Sequence, residues 1–490
     1  MKNKNKVKLL TIATLLTTFL INTGIQSSNQ IENNTAQAAT NKKKTKPSGQ
    51  KPNGKSGKGG PNIQSYDYKG TLKASLNVKS GTTKVGKKTI TNNKTDQNVA
   101  LVQKNGKLSL DGTKLKKTGN SKNDDNANFY GLDSILLADG KNAVATVKNA
   151  TLTSKATGAN GIFATNKGTV NVSNTKIKTT GKANSRGLDA TYGGKINANK
   201  VKISTKGDHS AAAATDRGGG TVKNSKVATK GTGSPLAYST GTINFNNVTG
   251  TASGSQIAGM EGYNKIYLVN SNLTSTNNKL SGSDPIKNGV IIYQSTSGDA
   301  ETSSSKSADF QAKDSTLKTA ITSGAMFYVT NTTGKITLEN TKLNFNNSKV
   351  YLLNVAGNNS NGWGTKGKNG GHVTLTAKNQ TLKGNIVVDS ISSANVKLTD
   401  DSTYTGKTSI VANKYATSSS KSKTPLTISV GSNSKWIVTG NSTVTNLNLV
   451  DGGEIVDSQG NKVTIIANGK TVQKGTSSYA VTVKGSFTTN

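Results

Sequence analysis

The sequence predicts an all-β chain wound as a single-stranded parallel β-helix, a solenoid with rungs of about 24 residues. Three observations carry this. The first is a recurring phrase: apolar, any, Asn or Asp, small, any, apolar. It begins at Leu110, Val147, Val172, Val222, Leu268, Ala312, Leu338 and Ala377, with looser copies at Ala198 and Phe245. From Val147 to Leu268 the starts lie 25, 26, 24, 23 and 23 residues apart. The second is a short strand that precedes most of these phrases, such as Ile162-Phe163-Ala164-Thr165 and Leu188-Asp189-Ala190-Thr191. The third is composition. Of 490 residues only 31% are hydrophobic and 5% aromatic, which is thin for one globular core but enough for a narrow coil whose rungs cover each other.

The phrase has a physical reading. Two short strands meet at a corner, and the corner residue takes a left-handed backbone, which Asn, Asp and Gly adopt at least cost. The flanking apolar residues then point into the coil.

In chain order, residues 1–38 read as an export signal. Lys2, Lys4, Lys6 and Lys8 lead an apolar stretch from Leu9 to Ile25, and Ala36-Gln37-Ala38 is a small-x-small cleavage site. The long, Lys-led form resembles Gram-positive signal peptides, which implies a secreted, surface- or wall-associated protein. The sequence has no Cys, so no disulfide or zinc-thiolate site is expected.

Residues 39–65 read as a disordered linker rich in Lys, Gly and Pro. With Lys42, Lys43, Lys44, Lys46, Lys51, Lys55 and Lys58 it reads equally as a solvated spacer and as a polybasic arm for an anionic wall polymer of the teichoic-acid kind or for phospholipid headgroups, and the two readings are compatible. The chain as a whole carries +39. Nucleic acid is disfavoured as the partner, because only Arg186 and Arg217 are arginine and base readout favours Arg.

Residues 66–106 are expected to form an irregular capping rung, 66–385 the β-helix, and 386–490 the closing rungs and cap. Alternation along the recurring short strand points its first and third residues inward. Ile162, Leu188, Ala212, Leu236, Ala258, Val290, Met326, Leu352 and Ile386 would make one interior stack, with Asn354 interrupting the third-position stack. Thr165, Thr191, Thr215 and Ser239 would face out in a column. Ile291, Phe327, Leu353 and Val387, beside Tyr293, would make an outward apolar stripe that needs a cover. Insertions at 116–131, 278–288, 297–307 and 357–371 supply side loops. Residues 357–371, with Trp363, either fold over the stripe or wall a groove. In the second case Trp363, Tyr293, Phe327 and Leu353 are the ligand-binding set, the aromatic rings acting as sugar platforms.

The stretch from Trp436 to Leu447, followed by Gly452-Gly453, resembles the closing rungs of autotransporter passenger domains. The rungs before it resemble the pectin-lyase-like, right-handed β-helix superfamily, and strand-crossover statistics favour the same hand. The resemblance implies the fold and, by analogy, an adhesin-like surface protein. The sequence to Asn490 shows neither a stretch for a membrane barrel nor a Leu-Pro-x-Thr-Gly sorting signal, so self-secretion and covalent wall anchoring are not expected.

The superfamily includes polysaccharide lyases and hydrolases, which need converging acids and a base. The best cluster is Arg186, Asp189, Asp208, His209, Asp216, Arg217 and Glu261, with Asp189, Arg186, Asp216, Arg217 and Glu261 the catalytic candidates of such an enzyme. The acids fall in different columns, and His209 and His372 stand alone. No metal site or cofactor motif appears. The expected function is therefore a non-enzymatic binder of glycan or anionic wall polymer. The alternatives are a lyase or hydrolase of an acidic polysaccharide, and an ice- or mineral-binding face on the Thr column.

Overall fold

A computed structural model describes residues 65–295, 300 and 306–489, and these form one compact unit. The expected signal, nearly all of the linker and the inner part of the 297–307 insertion lie outside the described residues. The chain is a parallel β-helix. One rung comprises Ile162–Thr165, Thr169–Ser173 and Lys176–Thr179. Each strand pairs in parallel with its counterparts in the rungs on either side: Ile162 with Leu136 and Leu188, Val172 with Val147 and Ala198, Ile177 with Leu152 and Ile203. Three parallel sheets run the length of the coil, here called the first, second and third in that order. Corner-crossing strands such as Ala213–Thr229 link them into a 34-stranded network.

The recurring phrase sets the register throughout. Leu110, Val147, Val172, Ala198, Val222, Phe245, Leu268, Ala312, Leu338 and Ala377 stack in one unbroken column. The corner residue that follows the second-sheet run is left-handed: Asn149, Asn174, Asn224, Asn247, Asn270 and Asn340 have φ between 45° and 54°, Asn224 and Asn247 inside corner-crossing strands. Their side-chain amides form a ladder. Asn174 donates to Asn149 at 2.6 Å, Asn247 to Asn224 at 2.8 Å and Asn340 to Asp314 at 2.7 Å. One position on, hydroxyls make a second ladder by accepting from the neighbouring rung's backbone: Ser225 Oγ from Val201 N, Ser271 Oγ from Val248 N and Ser315 Oγ from Ser271 N. The small residue in the phrase is thus a hydrogen-bonding one, which satisfies corner amides that the sheets cannot reach.

The first-sheet register differs from expectation. The interior column runs Ile162, Leu188, Ala213, Ala237, Ala258, Val290, Phe327, Leu353, Ile386. Ala212, Leu236, Met326 and Leu352 are also buried, but one residue earlier, filling the corner. Two adjacent apolar residues therefore both face the interior, one from the turn and one from the strand, and alternation counted from the first of them is off by one. Three expectations change as a result. Phe327 and Leu353 are core residues, not part of an outer stripe. Asn354 lies between Tyr328 and Val387 on the outer face, so it interrupts no interior stack. Thr165 and Thr191 share an outer column and a 2.7 Å hydrogen bond, whereas Thr215 pairs with the inward Ala190 and stacks with Ser239 inside the coil. All four hydroxyl residues are buried, so the flat solvent-facing Thr array does not form.

The opening rung is regular. Ala74–Val78, Thr82–Val85 and Thr89–Asn92 each pair in parallel with the next rung, so an irregular start is confined to the residues before Ala74. Winding also continues past Asn385, with Ile386 pairing Thr408 and Val396 pairing Ile428. Trp436 stacks on Tyr404 at 5.9 Å and donates Nε1–H to Gly406 O at 2.9 Å. An antiparallel pair, Thr464–Ala467 with Lys470–Gln473, lies near the C-terminal end.

Candidate functional site

The outer face of the first sheet carries two covers. Toward the N-terminus, Leu101, Leu137 and Phe163 point outward and are sealed by Leu72, Tyr130, Leu132 and Tyr192, with Tyr66 and Tyr68 packed against them. Tyr130 stacks on Tyr192 at 5.9 Å and meets Tyr66 edge-on at 5.4 Å. The 116–131 insertion supplies Tyr130 through the helix Asp124–Phe129, whose N-cap Asn123 accepts from Asn126 N at 2.8 Å. Its base is pinned by a fully buried ion pair, Lys117 Nζ to Asp133 Oδ1 at 2.9 Å. Lys117 also donates to the carbonyls of Lys94 and Gly119, each at 2.7 Å. Burial raises the Asp133 carboxyl to about 7 against the opposing pull of Lys117, and lowers the Lys117 ammonium.

Toward the C-terminus, Ile291, Tyr293 and Tyr328 point outward and the 357–371 loop lies over them. Trp363 stacks on Tyr293 with ring centroids 4.5 Å apart and is 8% exposed. Asn331 holds the loop: its Nδ2 donates to Asn358 O at 2.8 Å and Trp363 O at 2.9 Å, and its Oδ1 accepts from Asn358 N at 2.8 Å. Of the two expectations for Trp363, folding over the stripe describes this arrangement. Trp363 and Tyr293 spend their ring faces on each other, and Phe327 sits inside the coil edge-on to Phe310.

Between the covers lie the catalytic candidates, each with a dedicated partner. Arg186 pairs with Asp189 at 2.5 Å, and Asp189 is fully buried. Burial raises the Asp189 carboxyl and Arg186 offsets this. Arg217 pairs with Asp216 at 2.6 Å and lies over the Tyr192 ring, 5.4 Å from its centroid. Glu261 accepts from Tyr238 Oη and Ser295 N, each at 3.1 Å, and from Ser295 Oγ. Asp189 neighbours Ala214 rather than Ala213, and Thr240 pairs with Asp216 in the rung between Asp216 and Glu261. Asp189, Asp216 and Glu261 thus stand on different rungs of the face, with Arg186 close enough to feel Asp216 and Tyr238 as well as Asp189. Among the described residues no group of three or more His, Asp or Glu is placed to hold a metal.

A different feature emerges on the third sheet. Lys176, Lys202 and Lys226 occupy one column on consecutive rungs, all exposed, with Lys178 alongside and Lys200 and Lys223 at the adjoining corner. Stacked rungs put such side chains roughly 4.8 Å apart at the backbone. Residues 141–260 contain fourteen lysines and three acids, and two of those acids, Asp189 and Asp216, are committed to arginine. The seven linker lysines, Lys42, Lys43, Lys44, Lys46, Lys51, Lys55 and Lys58, lie outside the described residues.

Beside the Trp363 cover is a half-open groove of about 420 Å³. Tyr263, Gln294, Lys306, Thr333, Lys368 and His372 supply its side-chain chemistry. Sequence reasoning missed it. Tyr263 sits in a turn and His372 at the start of the strand His372–Lys378, both outside the repeating phrase, and Lys306 and Lys368 come from two separate insertions. Only the insertions themselves were a signal.

Comparison of the chain with protein-family models, curated proteins and solved structures finds no match.

Proposed function

We propose that the protein is a non-enzymatic binder of an anionic polymer, with the third-sheet lysine column as its contact surface. One observation carries the reading: Lys176, Lys202 and Lys226 stand in direct register on three rungs, exposed and with no acid in the column. Like charges held side by side on neighbouring strands repel and cost stability. A repeating anion laid along the coil axis relieves that cost at every rung and is recognised by its charge spacing. The partner class is a cell-wall polymer of the teichoic-acid kind or an acidic glycan. The Lys-led export signal of residues 1–38 favours a secreted, cell-surface setting, and the fold favours an adhesin-like role of the pectin-lyase-like, right-handed type. The lysine arm of residues 39–65 would add a salt-sensitive tether. The placement of Asp189, Asp216 and Glu261 on different rungs, with an arginine paired to each of the first two, favours binding over polysaccharide cleavage.

The test is polymer binding by residues 39–490 and by the triple variant Lys176→Gln/Lys202→Gln/Lys226→Gln, at low and high salt. Probes are poly(glycerol phosphate), polygalacturonate and a neutral glucan. The expected result is binding to a polyanion only, weakened about tenfold or more in the variant, with a shallower salt dependence. Equal binding by the two proteins would remove the column from the interface. Cleavage of polygalacturonate would replace the reading with an enzymatic one.

A further inference from the structure

We infer that the groove beside the Trp363 cover is a second, discrete site, for one sugar ring that carries an anionic group. The inference rests on the polymer-binding reading, and it names the unit that the protein would recognise in addition to the polymer's charge.

One wall is the turn holding Gly262 and Tyr263, another is the turn holding Asn331 to Thr333, and the third is the end of the 357–371 loop at Lys368 to Gly370. Asn331 ties the second and third walls together through its three hydrogen bonds to Asn358 and Trp363. Gly370 lets the loop close, since a Cβ there would sit 2.0 Å from Ile391 O. The Trp363–Tyr293 stack fixes the same loop from beneath. The stack therefore positions the groove rather than binding the ligand. At about 420 Å³ the space falls in the range of small-ligand sites and suits one or two sugar rings.

The lining chemistry selects the ligand class. Lys306 and Lys368 supply two ammonium groups, and among the described residues no carboxylate lines the groove. The Lys306 ammonium lies 4.8 Å from the centroid of the Tyr263 ring, which places positive charge and an aromatic surface together. His372 directs Nδ1 to Ser393 Oγ at 2.8 Å, leaving Nε2 as its other polar atom. Gln294 also lines the groove and adds a neutral polar amide. Cations for an acid group, an aromatic surface for a ring, and neutral donors and acceptors for hydroxyls together describe an acidic pyranose. The acid group is either a ring carboxylate or a phosphate ester, which share the contacts with Lys306 and Lys368.

The test uses residues 39–490 and titration calorimetry with two single-ring probes, galacturonate for the carboxylate and glucose 6-phosphate for the phosphate. Both are too short to span the lysine column. Variants are Lys306→Gln/Lys368→Gln, Tyr263→Ala, and the triple column variant of Lys176, Lys202 and Lys226. The expected result is binding of at least one probe, lost by about tenfold or more in the first two variants and retained in the column variant. Whichever probe binds identifies the acid group. If neither probe binds, or if the groove variants bind as tightly as the parent, the inference is overturned. Polymer binding in the same preparation then decides the broader reading. Retained polymer binding leaves the column standing, and its loss in every protein removes both.

Discussion

The two covers on the first sheet solve one problem in different ways. The N-terminal cover is a cluster: Tyr66, Tyr68, Tyr130 and Tyr192 contact one another, and a buried charge pair locks the insertion at its base. The C-terminal cover is centred on one stacked ring pair, and Asn331, Asn361 bonded to Ser283 O and Gly357 bonded to Asp389 tie its loop down. Several interlocked rings spread the cost of losing any one of them, whereas a single ring stack acts as a latch and concentrates it. The lesson is that the N-terminal face is built as a closed end, while the C-terminal cover is a loop held in place, with a groove along its side.

Removing the latch should give the largest effect. Trp363→Ala deletes a buried ring and should destabilise the C-terminal cover by about 3–5 kcal/mol. Because solenoids unfold locally, the measurement is amide exchange and limited proteolysis within 357–371. Protection there should fall while the N-terminal cover stays protected. Global loss of protection would show that the latch is part of the core.

The charge pair comes next. Lys117→Met leaves Asp133 buried without its cation and should cost about 3 kcal/mol, read as lost protection in 118–133. Asn331→Ala removes three hydrogen bonds and should loosen the C-terminal loop by about 1–3 kcal/mol, with the Trp363 emission shifting red.

A smaller effect is the pH dependence of the N-terminal cover. The Asp133 carboxyl is raised from an ordinary value near 4 to about 7 in the fold. Its folded form therefore binds more protons than the unfolded form between those values. Its contribution to stability is fully present below about pH 4 and is lost as pH rises toward 7. Protection of 118–133 should decline across that window, and Asp133→Asn should flatten the decline. An unchanged slope in the variant would assign the dependence to another group. Smallest of all, the triple column variant should shift stability by less than about 0.5 kcal/mol while weakening polymer binding.

The repeat itself was legible residue by residue. The phrase beginning at Val147, Val172 and Val222 set the rung length, the left-handed corners and the second-sheet register, because a corner that needs Asn and two inward apolar residues leaves a mark at fixed spacing. The lysine column was present in the sequence as Lys176, Lys202 and Lys226, but it becomes a surface only once three rungs are stacked. The groove was illegible, since turn residues, the first residues of two strands and two insertions all contribute to it, and the insertions follow no period.

What the sequence by itself determined is the winding: the β-helix class, the corner chemistry and the places where loops leave the coil. These are local properties, written into each rung and repeated. Tertiary structure alone decided which face of the first sheet Phe327, Leu353 and Thr215 occupy. A turn can absorb one extra apolar residue, and alternation does not reveal which of two neighbours belongs to the strand. It also decided that Trp363 meets Tyr293, 70 residues earlier in the chain. That contact depends on how a non-repeating loop falls back across the coil, which no periodic signal encodes.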